Sequence, residues 1–384
     1  MLARSKAILC IRERLLTARA RDRAGPCFSH ATTGISPAAS SVSWFLRHRE
    51  RETTRARTQS SAIDQYPDSL IFVYSAAGPG SAGDGGPMVD CVVIVVSYRS
   101  ARDVKDLLST IPQAVGSLSW RAVVVNNDEG DDLAPTVAEH PEAEVVEAGA
   151  NLGYAGGINL GRSVAPPSTW TVFLNPDLTL DPESIAHLVA EVGAHDAAVP
   201  LIRNRAGELQ RSLRREPSVL RSLGDALVGN RWPGRPAFLS ETVRMPAVYE
   251  VPGAVDWATG AALVVPTALA DAVGRWDQDT FFLYSEETDY CRRLRAAGAQ
   301  IRFVPEAVVR HQGAGSGSSD ALHALLEVNR VRYYRKWHGV LTATAFAAVV
   351  VLNNLLRSHR ARSRAALRAL VSPTTRAALP GGAR

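Results

Sequence analysis

Cysteine is scarce. The chain of 384 residues has four, Cys10, Cys27, Cys91 and Cys291, and no two form a Cys-x-x-Cys pair. Cys91 lies inside an apolar run. Neither a disulfide framework nor a zinc site is indicated, so a reducing compartment is expected. The chain also lacks the unbroken apolar run of about 20 residues that a membrane-spanning helix needs. Its first residues (MLARSKAILCIRERLLTARARDRAG) are rich in Arg, Ser and Thr, as in a transit peptide, but lack the apolar segment and cleavage site of a secretory signal. Acidic residues are short at both ends. Residues 1–87 carry 12 Lys and Arg against 7 Asp and Glu, and residues 357–384 carry seven Arg and no acid. The stretch between is acidic, with 24 basic against 31 acidic residues. An acidic body argues against nucleic acid as a partner. It suits a domain that holds a cation, with a basic end that touches anionic lipid.

What is present reads as an α/β domain. Residues 74–87 (YSAAGPGSAGDGGP) form a Gly/Pro linker that closes a basic extension, 1–87, expected to be disordered. Residues 91–97 (CVVIVVS) form a β-branched run, the mark of a strand buried on both faces. Further strands are expected at 121–125, 145–147, 169–174, 257–266 and 301–304. Helices are expected around 103–118, 158–164, 181–192 (with Pro182 in the first turn) and 323–338, while 203–256 reads as irregular. Strands and helices alternating at this spacing predict a mostly parallel, doubly wound sheet. Ligands of such sheets bind beyond the carboxyl ends of the strands. Three polar clusters fall there: Ser97-Tyr98-Arg99, Asn126-Asn127-Asp128 and Asn175-Pro176-Asp177. The main domain is set at 88–338 and the C-terminal amphipathic, basic helices at 339–384. Within the latter, 340–356 is apolar and precedes the seven Arg. It reads as an interfacial helix on an anionic membrane in preference to one packed on the protein's own body.

Several constellations point to chemistry. Asp177, at a strand end, suits a hard divalent cation bridging two phosphate oxygens, and His311 at the end of FVPEAVVRH adds an imidazole, which favours manganese over magnesium. Residues 151–159 (NLGYAGGIN) form a Gly-rich turn entering a helix, where backbone can approach an anionic ligand. Residues 281–298 (FFLYSEETDYCRRLRAAG) open a helix in which Ser285 is the expected N-cap, three acids fill the first turn and Gly298 closes the end. The apolar FFLY is expected to deliver at least one of Glu286, Glu287 and Asp289 into a cleft as a general base. A GxGxxG match at 78–83 is discounted, because a strand and not a helix follows it.

In order, VVIVVSYRS, VVVVNND, NLGYAGGIN, FLNPD, WATGAALVVP, FFLYSEETDYCRRLRAAG and FVPEAVVRH resemble family-2 glycosyltransferases of the GT-A fold, and most of all their bacterial rhamnosyltransferase-like branch. The resemblance covers about residues 90–338. It implies the GT-A nucleotide-diphospho-sugar transferase fold with C-terminal helices. It also implies transfer, with inversion, of a sugar such as rhamnose from a dTDP- or UDP-linked donor to a hydroxyl of a polyprenyl-linked or cell-wall glycan. By position, Ser97 and Tyr98 would line the base and ribose pocket, with Asn126, Asn127, Asn151 and Gly153 on the same nucleotide side. Asn126 replaces the usual acid. Thr259 and Gly260 match the acceptor-side strand end, and Asp177 and His311 match the site for Mn2+ or Mg2+. Glu287 stands where the family's general-base aspartate is expected, one methylene longer. The implied location is cytoplasmic, peripheral on the inner face of the cell membrane. The competing readings are a catalytically inactive sugar-nucleotide-binding or scaffold protein and a nucleotidyltransferase, whose GxGxRLxP loop is missing.

Overall fold

The apolar runs come together as one sheet. The computed structural model describes residues 73–75, 88–312 and 319–382, all in one compact unit. The remainder of the expected extension, 1–72 and 76–87, and with it the GxGxxG match, lies outside the described residues. In chain order the strands are β1 (Val73–Ser75), β2 (Val89–Ser97), β3 (Trp120–Asn126), β4 (Ala143–Glu147), β5 (Ser168–Leu174), β6 (Leu178–Leu180), β7 (Ala197–Arg203), β8 (Leu213–Arg214), β9 (Gly253–Val255), β10 (Trp257–Ala258), β11 (Ala262–Pro266) and β12 (Ile301–His311). The main sheet runs β1-β4-β3-β2-β5-β11-β7-β12-β6, with β9 beside β12, and β8 pairs with β10 apart from it. Neighbouring pairs β4-β3, β3-β2, β2-β5 and β7-β12 are parallel. β11 runs antiparallel to both β5 and β7. The two parallel blocks therefore point the same way across one reversed strand, and the sheet is mostly parallel, as expected.

Helices α1 (Ala101–Ala114), α2 (Ala134–Ala138), α3 (Gly153–Val164), α4 (Ser184–Val192), α5 (Val219–Leu227), α6 (Thr267–Val273), α7 (Glu286–Ala296), α8 (Asp320–Trp337), α9 (Val340–Leu355) and α10 (Ala361–Val371) follow. Alternation along β2 divides its side chains between two cores. Val93 and Val95 pack with Leu107, Leu108 and Ile185 on one face, and Ile94 and Val96 with Ile158, Tyr290 and Leu294 on the other. Each such aliphatic side chain contributes about 1.5–3 kcal/mol on full burial, which is why this strand is apolar at consecutive positions.

The structure corrects two of these expectations and adds a strand and a packed helix face. Val73–Ser75, placed in the extension, adds the edge strand β1 to β4. Helix α4 starts at Ser184 after a left-handed Glu183 (φ 59°), so Pro182 precedes it and does not fill its first turn. Residues 197–203 form a central strand, although Pro200 removes a ladder donor. Finally, α9 buries Ala343, Phe346, Val349 and Val350 against the body, with Phe346 stacked on Tyr334 of α8 at 4.1 Å. Only its other side faces outward. Among the described residues no helix is long and apolar enough to cross a membrane.

Candidate active site

Strand register brings Asp177 and His311 together. β6 follows directly on the Asn175-Pro176-Asp177 turn and pairs antiparallel with the end of β12, setting Leu178 opposite His311. A register shift between Val304 and Val308 lets one strand serve both partners. The Gln312 amide then donates to the Asp177 carbonyl oxygen (2.9 Å). His311 Nε2 lies 3.2 Å from Asp177 Oδ1, and its Nδ1 lies 3.2 Å from Gln210 Oε1. In the neutral tautomer whose Nδ1–H donates to Gln210 Oε1, the Nε2 lone pair faces the carboxylate, as a metal ligand does. Two donors so placed fit adjacent ligands of a divalent cation, which lie about 3 Å apart when each metal–oxygen distance is about 2.1 Å. Among the described residues no group of three or more His, Cys, Asp or Glu is arranged for a metal, so the rest of such a shell would come from phosphate and water.

The carboxylates before α7 are delivered by a strained turn. Tyr284 (φ 72°) and Ser285 (φ 71°) are both left-handed, which costs of order 1 kcal/mol or more for each non-glycine residue. In that conformation Ser285 makes no side-chain cap, contrary to expectation. Neighbouring elements hold the turn. The Tyr154 amide donates to the Phe282 carbonyl oxygen (2.8 Å). Asn329 of α8, fully buried, donates through Nδ2 to the carbonyl oxygens of Leu283 (2.9 Å) and Tyr284 (3.3 Å), and Arg332 fixes the Asn329 amide by donating to its Oδ1 (3.1 Å).

Glu286 and Glu287 reach the cleft; Asp289 does not. Asp289 is fully buried and committed to Arg293 (2.9 Å), Lys336 (2.6 Å) and the Trp337 indole (2.8 Å). Two positions on from Glu287, a little over half a helical turn, its side chain leaves α7 on the side away from Glu287 and is spent on these partners. Burial raises the pKa of both glutamates. The neighbouring Glu287 charge pushes Glu286 further up, whereas backbone amides and the Arg214 guanidinium pull Glu287 back. Glu287 is thus the member of the pair that ionises more readily.

On the nucleotide side the structure divides the expected residues. Ser97 is buried with its hydroxyl 2.8 Å from that of Ser100. Asn126 is buried and donates to the Asp131 carbonyl oxygen and Glu147 Oε1. Both sit at the last position of paired strands, in register with each other, and their side chains are spent on the scaffold, so neither lines the cleft. Tyr98, Asn127, Asn151 and Gly153 do line it, with Thr259, Gly260, Asp177 and His311. Gly153 (φ 75°) is required, since a Cβ there would collide with the Phe282 carbonyl oxygen. A Cβ at Gly260 would lie 3.2 Å from that of Glu287; its absence leaves the longer glutamate room.

The cleft holds about 960 Å³ and runs from Tyr98 past the glutamates to Leu326, Arg330 and Phe346. Thr259 Oγ1, Asn127 Oδ1, Glu286 Oε2 and Glu287 Oε2 line it as buried atoms with no hydrogen-bond partner among the described residues. Buried polar atoms are nearly always satisfied, so four unsatisfied ones around one cleft mark a ligand site. Arg214 and Asn329 were not read from the sequence. Arg214 reaches the cleft because β8 pairs with β10, setting it opposite Trp257 beside Thr259. The sequence alone gives neither residue a role, since each acts through a partner distant in sequence.

Comparison with known proteins gives the family. Residues 87–334 match the family described as Glycosyltransferase like family 2. The chain is similar to the N-acetylglucosaminyl-diphospho-decaprenol L-rhamnosyltransferase of Mycobacterium tuberculosis, 26% identical over 71% of this chain and 94% of that one. It is 28% identical to a low-salt glycan biosynthesis hexosyltransferase of Haloferax volcanii over 55% of this chain and 64% of the relative. A solved mannosyltransferase from Pyrobaculum calidifontis, in complex with GDP-Man and Mn2+, aligns over 89% of this chain and 88% of its own at 14% identity and a TM-score of 0.45.

Proposed function

We infer that this chain, which belongs to glycosyltransferase like family 2, moves a sugar such as rhamnose from a dTDP- or UDP-linked donor to a hydroxyl of a polyprenyl-linked or cell-wall glycan, with inversion. The observation that carries this reading is the single cleft onto which the Glu286-Glu287 pair and the Asp177-His311 pair both open. Glu287 accepts the proton of the acceptor hydroxyl as its oxygen attacks the anomeric carbon; Glu286, whose carboxyl burial and the Glu287 charge hold above its ordinary range, ionises less readily and leaves that role to Glu287. One attack from the side opposite the leaving group inverts that carbon. Tyr98, Asn127 and the Asn151–Gly153 turn bind the nucleoside, and Asp177 and His311 hold a divalent cation, Mn2+ or Mg2+. When bound, that cation supplies positive charge to the departing diphosphate.

The acceptor assignment follows the mycobacterial relative, whose name specifies a diphospho-decaprenol acceptor. The far end of this cleft, lined by Leu322, Leu326 and Phe346, suits a partly apolar acceptor, and the location expected at the inner face of the cell membrane would place the enzyme beside it.

A thermal-shift panel of dTDP, UDP, GDP and NAD, with and without Mn2+, tests the donor site. One nucleoside diphosphate should stabilise the protein only with the metal, and Asp177→Asn or His311→Ala should abolish that dependence. Stabilisation by NAD, or by nothing, removes the donor site. Nucleotide binding without transfer to a polyprenyl-diphosphate-linked acceptor selects the inactive binding protein instead.

A further inference from the structure

We propose that residues 219–239, with the outward side of α9, form a rigid surface that docks on anionic lipid. The segment was expected to be irregular, yet it is built to hold apolar side chains in water. Helix α5 is capped by Ser218, whose hydroxyl accepts from the Arg221 amide (3.2 Å). It buries Ser222, Gly224 and Ala226 and leaves Leu220 and Leu227 exposed. The two short helical turns that follow, Gly229–Arg231 and Ala237–Leu239, flank Trp232 and carry Phe238; these side chains are 49% and 58% exposed.

This bracket is not a loose loop. The buried Arg235 guanidinium ties it from inside, donating to Asp225 and to the carbonyl oxygens of Gly229 and Leu239. Gly224 has no room for a Cβ against the Leu239 carbonyl oxygen. At the end of α9, Arg357 donates to the carbonyl oxygens of Ala226 (3.0 Å) and Asp225 (3.3 Å), so the exposed Leu355 and Leu356 lie beside the bracket.

Charge selects the occupant. Arg231, Arg360, Arg362 and Arg364 are exposed, and residues 357–384 contain no acid. The single acid within 219–239 is Asp225, which Arg235 neutralises. Exposed indole, phenyl and leucine side chains, with exposed guanidinium groups and no unpaired acid in the same two segments, match the acyl boundary and headgroups of an anionic bilayer. A second copy docked by two-fold symmetry would bring the same arginine-bearing patch against itself. The helices that carry this surface also line the cleft, through Asp225 of α5 and Phe346 of α9, so docking sets the far end of the cleft near the lipid. The docking surface stands on its own exposure and charge, independently of the reaction assigned to the cleft.

Sedimentation of the full chain with vesicles tests it. Binding to vesicles of phosphatidylcholine with 30% phosphatidylglycerol, and not of phosphatidylcholine alone, is expected, weakening at high salt. Trp232→Ala/Phe238→Ala should lower that binding at least tenfold while keeping the melting temperature and the nucleotide response. Failure of the wild-type chain to bind, or equal binding by the double variant, overturns the proposal. So does a dimer in light scattering that the double variant dissolves, which would make a second copy the occupant. The nucleotide response separates any of these failures from failure of the donor site.

Discussion

Replacing Asn329 with alanine should cost the enzyme its rate and spare its donor affinity. The Asn329 amide donates two hydrogen bonds, to the carbonyl oxygens of Leu283 and Tyr284, and each is worth about 1 kcal/mol net. The two left-handed residues they restrain store a strain of similar total size, of order 2 kcal/mol. Loss of the amide removes about 2 kcal/mol of restraint from a turn that gains by relaxing. At about 1.4 kcal/mol per factor of ten, the turn then presents Glu287 correctly roughly thirtyfold less often. The expected result is a kcat lower by about 10- to 30-fold, with KM for the donor within about twofold, because Asn329 bonds to the turn and not to the nucleotide-side residues. Asn329→Asp, which keeps the volume but sets a carboxylate against two carbonyl oxygens, should lose at least as much. Steady-state kinetics on the donor found by the nucleotide panel, with thermal melts alongside, provide the assay. A kcat within twofold of wild type, or equal losses in kcat and donor binding, would refute the reasoning.

Three further outcomes are expected. Glu287→Gln should retain nucleotide binding in the thermal-shift assay but lower transfer by about 10²–10⁴-fold, the usual scale of a general base; transfer within a few-fold of wild type would make Glu286 the base. For pH, burial and the Glu287 charge hold the Glu286 carboxyl above its ordinary 4.5, so above that pH the folded state binds more protons than the unfolded state and stability falls as pH rises. Glu286→Gln should accordingly melt higher than wild type by a margin that grows from pH 5 to pH 8, and a constant margin would count against the assignment. Gly153→Ala, which forces a Cβ toward the Phe282 carbonyl oxygen at φ 75°, should lower the melting temperature by several degrees and weaken nucleotide binding, whereas an unchanged melt would contradict the geometry.

The strand ends were legible in the sequence because apolar runs stop abruptly at polar clusters, and a parallel sheet turns such stops into one crevice. Which residue of each cluster faces that crevice was not legible. Ser97 and Asn126 occupy the last paired position, where the ladder commits them to neighbours, while Tyr98 and Asn127, one step on, are released into the cleft. The acidic cluster before α7 was visible, but helical rotation decides that Glu286 and Glu287 face the cleft while Asp289 meets Arg293 and Lys336. β7 escaped because Pro200 and paired alanines weaken its strand signal; β11 and β12 on either side supply what its composition does not. Arg214, Gln210 and Asn329 belong to long-range pairings that no local pattern encodes.

The reversed strand β11 also sets an order of assembly. It is synthesised after β5 and β7 yet lies between them. On the ribosome, residues 88–180 can join β2, β3, β4 and β5 while each pairing remains within that stretch. Until residues 262–266 emerge, however, β5 keeps an open, apolar edge, and β7 has no partner on its β11 side. Such an open edge is a template with which another nascent chain can pair. The strand that unites the two halves of the mature sheet is thus also the piece whose late arrival exposes the growing chain to misassembly.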